Sequence, residues 1–238
     1  AQKKPMSGSD QYFQLAGCVY YKSNFKNEPL QGLYYSSIAD DSWQYGGYST
    51  NSEGQGTHDK QFSIEQFVHW LDVTTLSRNQ PIVFCWVFNV EPLSFDETYT
   101  NLKAMIVQAD TSTNLVGIKQ TMHLLVTPYM MRVDGEAGDV ARLFMEQHQS
   151  VCQSIAEEFD HVAAVSIYDA TDGTLFIGTN SANDWLEERG FNEFECGSET
   201  IALCDQYNGQ LLDAAIIHPA HTDSGKFFAA VIGNEIRR

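Results

Sequence analysis

Four side chains of the sequence are candidates for nucleophilic chemistry: His161, Asn180, Cys18 and Ser224. A thiol or hydroxyl nucleophile needs a histidine that accepts its proton and a third group that orients the imidazole ring. His161 precedes an apolar stretch that is typical of a strand, and Asn180 follows that stretch. We therefore predict His161 as the base and Asn180 as the orienting amide, with Cys18 or Ser224 as the nucleophile.

The segment from His161 to Trp185 resembles the histidine–asparagine part of papain-like cysteine peptidases. In that family the histidine starts a strand, and a later Asn-Ser-Trp supplies the orienting amide. Here Asn180 is followed by serine, and the tryptophan comes four residues after that serine. The resemblance implies that Cys18 is the nucleophile and that Gln14 is the oxyanion donor. The residues after Cys18 favour a strand, whereas the family has a helix there.

The stretch Thr222–Phe227 is similar to the nucleophile segment of SUMO-type proteases and of related bacterial effector acetyltransferases. In that group the chain order is histidine, acid, and then cysteine at a helix start. The similarity implies that His161, Asn180 and Ser224 take these three places, with an amide in place of the acid and a hydroxyl in place of the thiol. The implied protein is a hydrolase or acyltransferase, either active or decayed.

A second group of ionisable residues lies at His218, His221 and Asp223. Neutral imidazoles and a carboxylate suit zinc or iron, and a third ligand could come from His58 or His123. The intervening proline indicates a turn rather than the helical i, i+4 spacing of metalloproteases. Glycine-rich phosphate loops are also absent from the sequence. We therefore predict no metal and no other cofactor.

The charge of the chain restricts its partners. It has 14 basic and 31 acidic side chains and a net charge of −17. Such a chain repels phosphate backbones and anionic lipid, so we predict no nucleic-acid and no membrane partner. A protein partner, either basic or a second copy of the chain, fits this charge. The five cysteines contain no CxxC pair, which favours reduced thiols and a cytoplasmic location.

The arrangement of predicted elements favours an α+β fold with a mixed, largely antiparallel sheet and three main helices packed on it. We predict a flexible N-terminal segment, 1–11, and a single domain over 12–238. A subdivision near residue 92, into 12–92 and 93–238, stays open. The hydrophobic content of 43% is enough for a sizeable core.

The predicted elements after the N-terminal strands follow from periodicity, caps and turn residues. Helices are predicted from Ser63, from Ser94 to about Gln108, from Asp139 to Phe159, and from Ser181 or Asn183 to near Gly190. Central or single strands are predicted at Ile82–Val90 and Leu115–Thr127. Hairpins are predicted for 161–168 with 174–178 and for 200–204 with 210–218, and Phe227–Ile232 is a final strand or helix.

Two functions from different classes are compatible with these features. The first is an acidic, soluble protein that acts through protein–protein contact, as an assembly component, an adaptor or an inhibitor. The incomplete catalytic sets favour this hypothesis. The alternative is a cysteine-type hydrolase or acyltransferase centred on His161. A nucleophile within hydrogen-bonding reach of His161 would support the alternative.

Overall fold

The computed structural model contains seven strands and five helices among the residues that it describes. These residues are 18–20, 35–37, 68, 71–72, 81–87, 93–128, 135–171, 176–202 and 223–236. The strands are β1 (Cys18–Tyr20), β2 (Tyr35–Ser37), β3 (Ile82–Val87), β4 (Thr121–Thr127), β5 (Val162–Ser166), β6 (Phe176–Gly178) and β7 (Thr200–Ala202). The helices are α1 (Phe95–Val116), α2 (Gly135–Glu158), α3 (Ile167–Ala170), α4 (Thr179–Glu188) and α5 (Asp223–Ile236).

The largest described sheet is parallel and has the strand order β3-β4-β5. The protein thus combines helices with strands, but the prediction of a largely antiparallel sheet was wrong for this sheet. The physical reason lies in the connections, because α1 and α2 each return the chain to the edge where the preceding strand began. The next strand must then run in the same direction. Antiparallel pairing joins β1 to β2 and β6 to β7.

Helix α1 begins at the predicted capping box. The Ser94 hydroxyl accepts from the backbone N–H of Glu97 at 3.3 Å, and the Glu97 carboxylate accepts from the backbone N–H of Ser94 at 3.0 Å. The helix continues to Val116, beyond the predicted end near Gln108. It ends at Gly117, whose φ of 79° is left-handed and suits glycine. The longer helix includes Asp110, which a helix ending near Gln108 would leave outside.

Helices cover both faces of the sheet at β4 and β5. On one face, Leu102 and Ile106 of α1 and Ile155 of α2 pack in one cluster with Leu125 of β4. On the opposite face, Phe227 of α5 lies in a cluster with side chains of α4, β4 and β5. Because successive side chains of a strand point to opposite faces, β4 and β5 contribute to both clusters. The final apolar segment, for which strand and helix were both open, is the helix α5.

Strand β3 is less buried than its sequence suggests. The run Ile82–Val90 predicts a central strand with both faces covered, but β3 lies at one end of the three described strands. Val83 and Val87 are 36% and 53% exposed. The prediction of a covered central strand was therefore wrong for the described part, 82–87. An apolar run alone does not distinguish a covered face from an exposed one.

The predicted hairpin after His161 does not form. Strand β5 pairs with β4 in parallel, and β6 pairs with β7 instead of β5. The reason is local, since Ser166 ends β5 and caps α3 by accepting from the backbone N–H of Asp169 at 2.9 Å. The turn residues 172–175 and the strand predicted at 210–218 lie outside the described residues.

The structure describes only part of the residues on which the predicted first helix, the N-terminal segment and the subdivision depend. The helix predicted from Ser63 is helical at Val68, Leu71 and Asp72, whereas its cap lies outside the described residues. The predicted flexible segment 1–11 also lies outside them. The subdivision near residue 92 stays a prediction, and β3 pairs with β4 across that position. Among the described helices, none combines the length and the apolarity that a membrane crossing requires.

Candidate acid–base site

Three ionisable side chains meet at the amino ends of β4 and β5: Asp110, His123 and His161. Asp110 lies on α1, His123 lies near the start of β4, and His161 immediately precedes β5. The backbone N–H of His123 donates to the carbonyl of His161 at 2.9 Å, so the pairing of the two strands places both histidines side by side. We call these three residues the Asp110 cluster.

The Asp110 carboxylate joins the two imidazoles. Its Oδ1 lies 3.0 Å from Nε2 of His123, and its Oδ2 lies 2.9 Å from Nε2 of His161. An ionised carboxylate only accepts hydrogen bonds, so each Nε2 carries a proton and donates it to Asp110. Two charge-assisted bonds on one carboxylate fix both rings relative to α1.

A tryptophan determines the tautomer of His123. The indole Nε1–H of Trp86 donates to Nδ1 of His123 at 2.9 Å. Because an indole N–H can only donate, Nδ1 of His123 must be unprotonated, and the proton of the neutral ring is on Nε2. His123 is 1% exposed, and this burial lowers its pKa, against the opposing effect of Asp110. His123 is therefore a neutral donor to Asp110.

His161 is the accessible member of the cluster. Its side chain is 36% exposed, whereas that of Asp110 is 26% exposed and that of His123 is fully buried. Since Nε2 of His161 donates to Asp110, Nδ1 carries the lone pair in the neutral ring. Among the described residues, none forms a hydrogen bond to this Nδ1. The ring also contacts Phe159 and His123 edge to face, which restricts its rotation. His161 is thus an oriented proton acceptor.

The cluster also has the donor set of a transition-metal site. The three ligand atoms lie within 4.8 Å of one another, and two imidazoles with one carboxylate suit several divalent metals. The prediction of no metal considered a different group, at His218, His221 and Asp223. Residues 218–222 and the side chain of Asp223 lie outside the described part of the chain. Whether the Asp110 cluster could accept a metal depends on the proton at Nε2 of His123.

The predicted site residues lie in separate places. His161 belongs to the Asp110 cluster, Asn180 is exposed in the first turn of α4, and Ser224 is buried in the first turn of α5. No hydrogen bond within the described residues joins His161 to Asn180 or to Ser224. Cys18 lies in β1, and its side chain is outside the described part. The catalytic roles of Asn180, Cys18 and Ser224 stay predictions.

Asp110 and His123 were missed as partners of His161 because no short motif contains them. Asp110 is 13 residues from His123 and 51 residues from His161. One signal could have found Asp110, since it lies four residues after Ile106 on the inward face of α1. A carboxylate on a buried stripe requires a partner. Asp110 falls on this stripe only if the predicted helix continues past Gln108.

The carboxyl edge of the same sheet contains one small cavity among the described residues. It has a volume of about 20 Å³ and is lined by Thr127 of β4, Ser166 of β5 and Cys152 of α2, among others. This volume holds a single water molecule. Burial raises the pKa of the Cys152 thiol to about 12, so Cys152 is not a nucleophile at neutral pH. Ligands of open parallel sheets ordinarily bind at the carboxyl edge, whereas the Asp110 cluster lies at the opposite, amino edge.

Comparisons with known proteins found no relative. No protein-family model matches the chain. Neither a curated protein nor a solved structure is significantly similar to it. The side-chain chemistry of the Asp110 cluster is therefore the basis for assigning a function.

Proposed function

We propose that the protein is a hydrolytic or acyl-transfer enzyme in which His161 is the general base and Asp110 orients it. One observation carries the proposal: Nε2 of His161 donates to Asp110 at 2.9 Å while the side chain remains 36% exposed. A carboxylate that holds one ring nitrogen as a donor leaves the other nitrogen as a base. The same pairing of carboxylate and imidazole activates nucleophiles on unrelated folds.

The proposed reaction uses the unprotonated Nδ1 of His161. A water molecule or a substrate hydroxyl at this nitrogen loses its proton to Nδ1 as its oxygen attacks an acyl carbon. The resulting imidazolium is stabilised by the adjacent Asp110 carboxylate. The imidazolium then returns the proton to the leaving group, which restores the neutral base.

The proposal modifies the thiol hypothesis that the sequence suggests. A cysteine or serine nucleophile requires contact with His161, and no described thiol or hydroxyl hydrogen-bonds to it. A water molecule that loses its proton to His161 can attack the acyl carbon in place of a protein nucleophile. Hydrolysis by an activated water molecule at His161 does not require Cys18 or Ser224 as the nucleophile.

The proposal predicts that His161→Gln lowers the rate of ester hydrolysis by about 100-fold or more, since a positioned general base contributes about 10²–10⁴-fold. The measurement is the hydrolysis of activated acyl esters, such as p-nitrophenyl acetate and p-nitrophenyl butyrate, above the buffer rate. His148→Gln is the matched control, because His148 is buried in α2 outside the cluster. It should retain wild-type rates.

Two outcomes would contradict the proposed function. A wild-type protein with no activity above buffer against the whole ester panel would remove the basis for an enzyme of this class. Equal rates in wild type and His161→Gln would assign any observed activity to another site. Circular dichroism of both variants establishes that lost activity does not reflect lost structure.

Protein–protein contact is the second candidate, and an exposed apolar face supports it. Val83, Val87 and Met122 are 36%, 53% and 45% exposed, and the strand register places Val83 beside Met122. Side chains two or four residues apart on a strand share a face, so the three form one patch. If this patch mediates self-association, the sedimentation coefficient should rise with concentration, and Val87→Asp should abolish the increase. A concentration-independent monomer would count against self-association.

A further inference from the structure

We propose that Trp86 is a positioning residue that holds His123 in one tautomer and thereby keeps divalent transition metals out of the Asp110 cluster. This proposal does not depend on the proposed enzymatic function, because it concerns a proton position and a metal affinity. Its failure would leave the expected loss of activity in His161→Gln untouched, and a failure of the enzymatic proposal would leave the tautomer and the metal affinity untouched.

Spacing alone would admit a metal. Zinc binds imidazole nitrogens and carboxylate oxygens at about 2.0–2.2 Å, so neighbouring ligand atoms in a tetrahedral or octahedral site lie roughly 3–3.5 Å apart. The two histidine nitrogens lie 3.0 and 2.9 Å from the Asp110 oxygens, and all three ligand atoms fit within 4.8 Å. Small movements would create a two-histidine, one-carboxylate site. The spacing of the ligand atoms therefore does not keep a metal out of the cluster, and another property must do so.

That cause is the proton on Nε2 of His123. A neutral histidine that binds a metal through Nε2 carries its proton on Nδ1. In this protein Nδ1 faces the indole N–H of Trp86 at 2.9 Å. Two N–H groups would then point at each other at a site that is 1% exposed, where water cannot separate them. Metal binding by His123 therefore requires the loss of the Trp86 hydrogen bond.

The hydrogen-bond partner of Nδ1 in His123 is a donor, whereas in metal sites the corresponding partner is an acceptor. A metal-binding histidine usually donates its second N–H to a carboxylate or a carbonyl, which fixes the metal-competent tautomer. Here the second nitrogen meets a donor, and the planes of the two rings differ by only 4°, which suits a bond in the plane of the imidazole. The Trp86 bond thus stabilises the Nε2–H tautomer. In that tautomer the proton occupies the space between His123 and Asp110.

The variant Trp86→Phe removes the indole donor and keeps an aromatic ring. Imidazole ¹⁵N chemical shifts should show an unprotonated Nδ1 on His123 in the wild-type protein and a mixture of tautomers in the variant. Titration with Zn²⁺, or with Co²⁺ followed by its visible absorption, should show about 10–100-fold tighter binding by the variant, the range for a changed outer-shell partner.

Two further variants separate this role from a general loss of structure. Trp185→Phe is the matched control, since Trp185 donates its indole N–H to Asp169 outside the cluster. It should bind Zn²⁺ like the wild-type protein. The gain in affinity should disappear when Trp86→Phe is combined with His123→Gln.

Three results would overturn the proposal. One is a protonated Nδ1 on His123 in the wild-type protein. Another is wild-type Zn²⁺ affinity equal to that of Trp86→Phe. A gain that persists in the double variant would place the metal at other ligands. If Trp86→Phe fails to fold, the wild-type ¹⁵N spectrum and Zn²⁺ titration still test the proposal, because the wild-type protein must combine an unprotonated Nδ1 with no metal bound at His123.

Discussion

Replacing Asp110 with asparagine is expected to lower the rate of ester hydrolysis by up to about 10⁴-fold, the loss that the same change causes in a serine-protease triad. The two imidazoles both donate to the Asp110 carboxylate. An asparagine amide can accept only at its oxygen, and its NH₂ group donates. The ring facing the NH₂ group must move its proton to Nδ1. Because Trp86 prevents this change in His123, the change occurs in His161, whose Nδ1 is then no longer a base.

The rate of this variant should be compared with that of Asp169→Asn. Asp169 also accepts two side-chain hydrogen bonds, from Trp185 and Arg189, but it lies outside the Asp110 cluster. This control should keep wild-type activity, since it makes the same chemical change on the surface. An Asp110→Asn rate within a few-fold of wild type would show that His161 does not depend on this carboxylate.

Acidification is expected to destabilise the protein through His148. Burial lowers the pKa of His148 from 6.5 to about 4 in the folded state. Above pH 6.5 the ring is neutral in both states, and between 6.5 and 4 the unfolded chain binds a proton that the folded chain does not. The free energy of unfolding therefore falls as the pH is lowered through this window, by about 3 kcal/mol from this residue alone.

The variant His148→Gln isolates this contribution, because glutamine has a similar size and does not titrate. Urea unfolding of both proteins at pH values from 7 to 4 measures the difference. The wild-type protein should lose about 3 kcal/mol more than the variant over this range. Parallel stability curves would show that His148 is protonated, or exposed, in the folded protein. The carboxylates titrate in both proteins, so their effect on the free energy of unfolding cancels when the two proteins are compared.

Local sequence signals identified the helices that flank the parallel sheet. The capping box at Ser94 and Glu97 is confirmed. The helix predicted from Asp139 to Phe159 corresponds to α2, but α2 already begins at Gly135, so the predicted start at Asp139 was wrong. These signals are local because a cap depends on neighbouring backbone N–H groups. The end of α1 was placed too early, since polar residues interrupt its apolar stripe. Ser112 and Thr113 are accommodated there by donating to the carbonyls of Gln108 and Asp110.

Strand pairing could not be predicted from the same signals. Strands β5 and β6 are close in sequence, and a turn signal lies between them, yet each pairs with another strand. Hydrogen bonds between strands depend on which edges are free after the helices pack. The parallel order β3-β4-β5 follows from the packing of α1 and α2, which is a property of the whole fold.

The sequence by itself determined the acidic charge and the capping box that starts α1, and it suggested His161 as a residue for proton transfer. Only the tertiary structure decided what His161 contacts. Asp110 comes from a helix, His123 from a strand and Trp86 from the neighbouring strand, and 51 residues separate Asp110 from His161. A hydrogen bond acts over about 3 Å. Such a bond therefore depends on how the chain packs. It cannot be predicted from the separation of the two residues along the sequence.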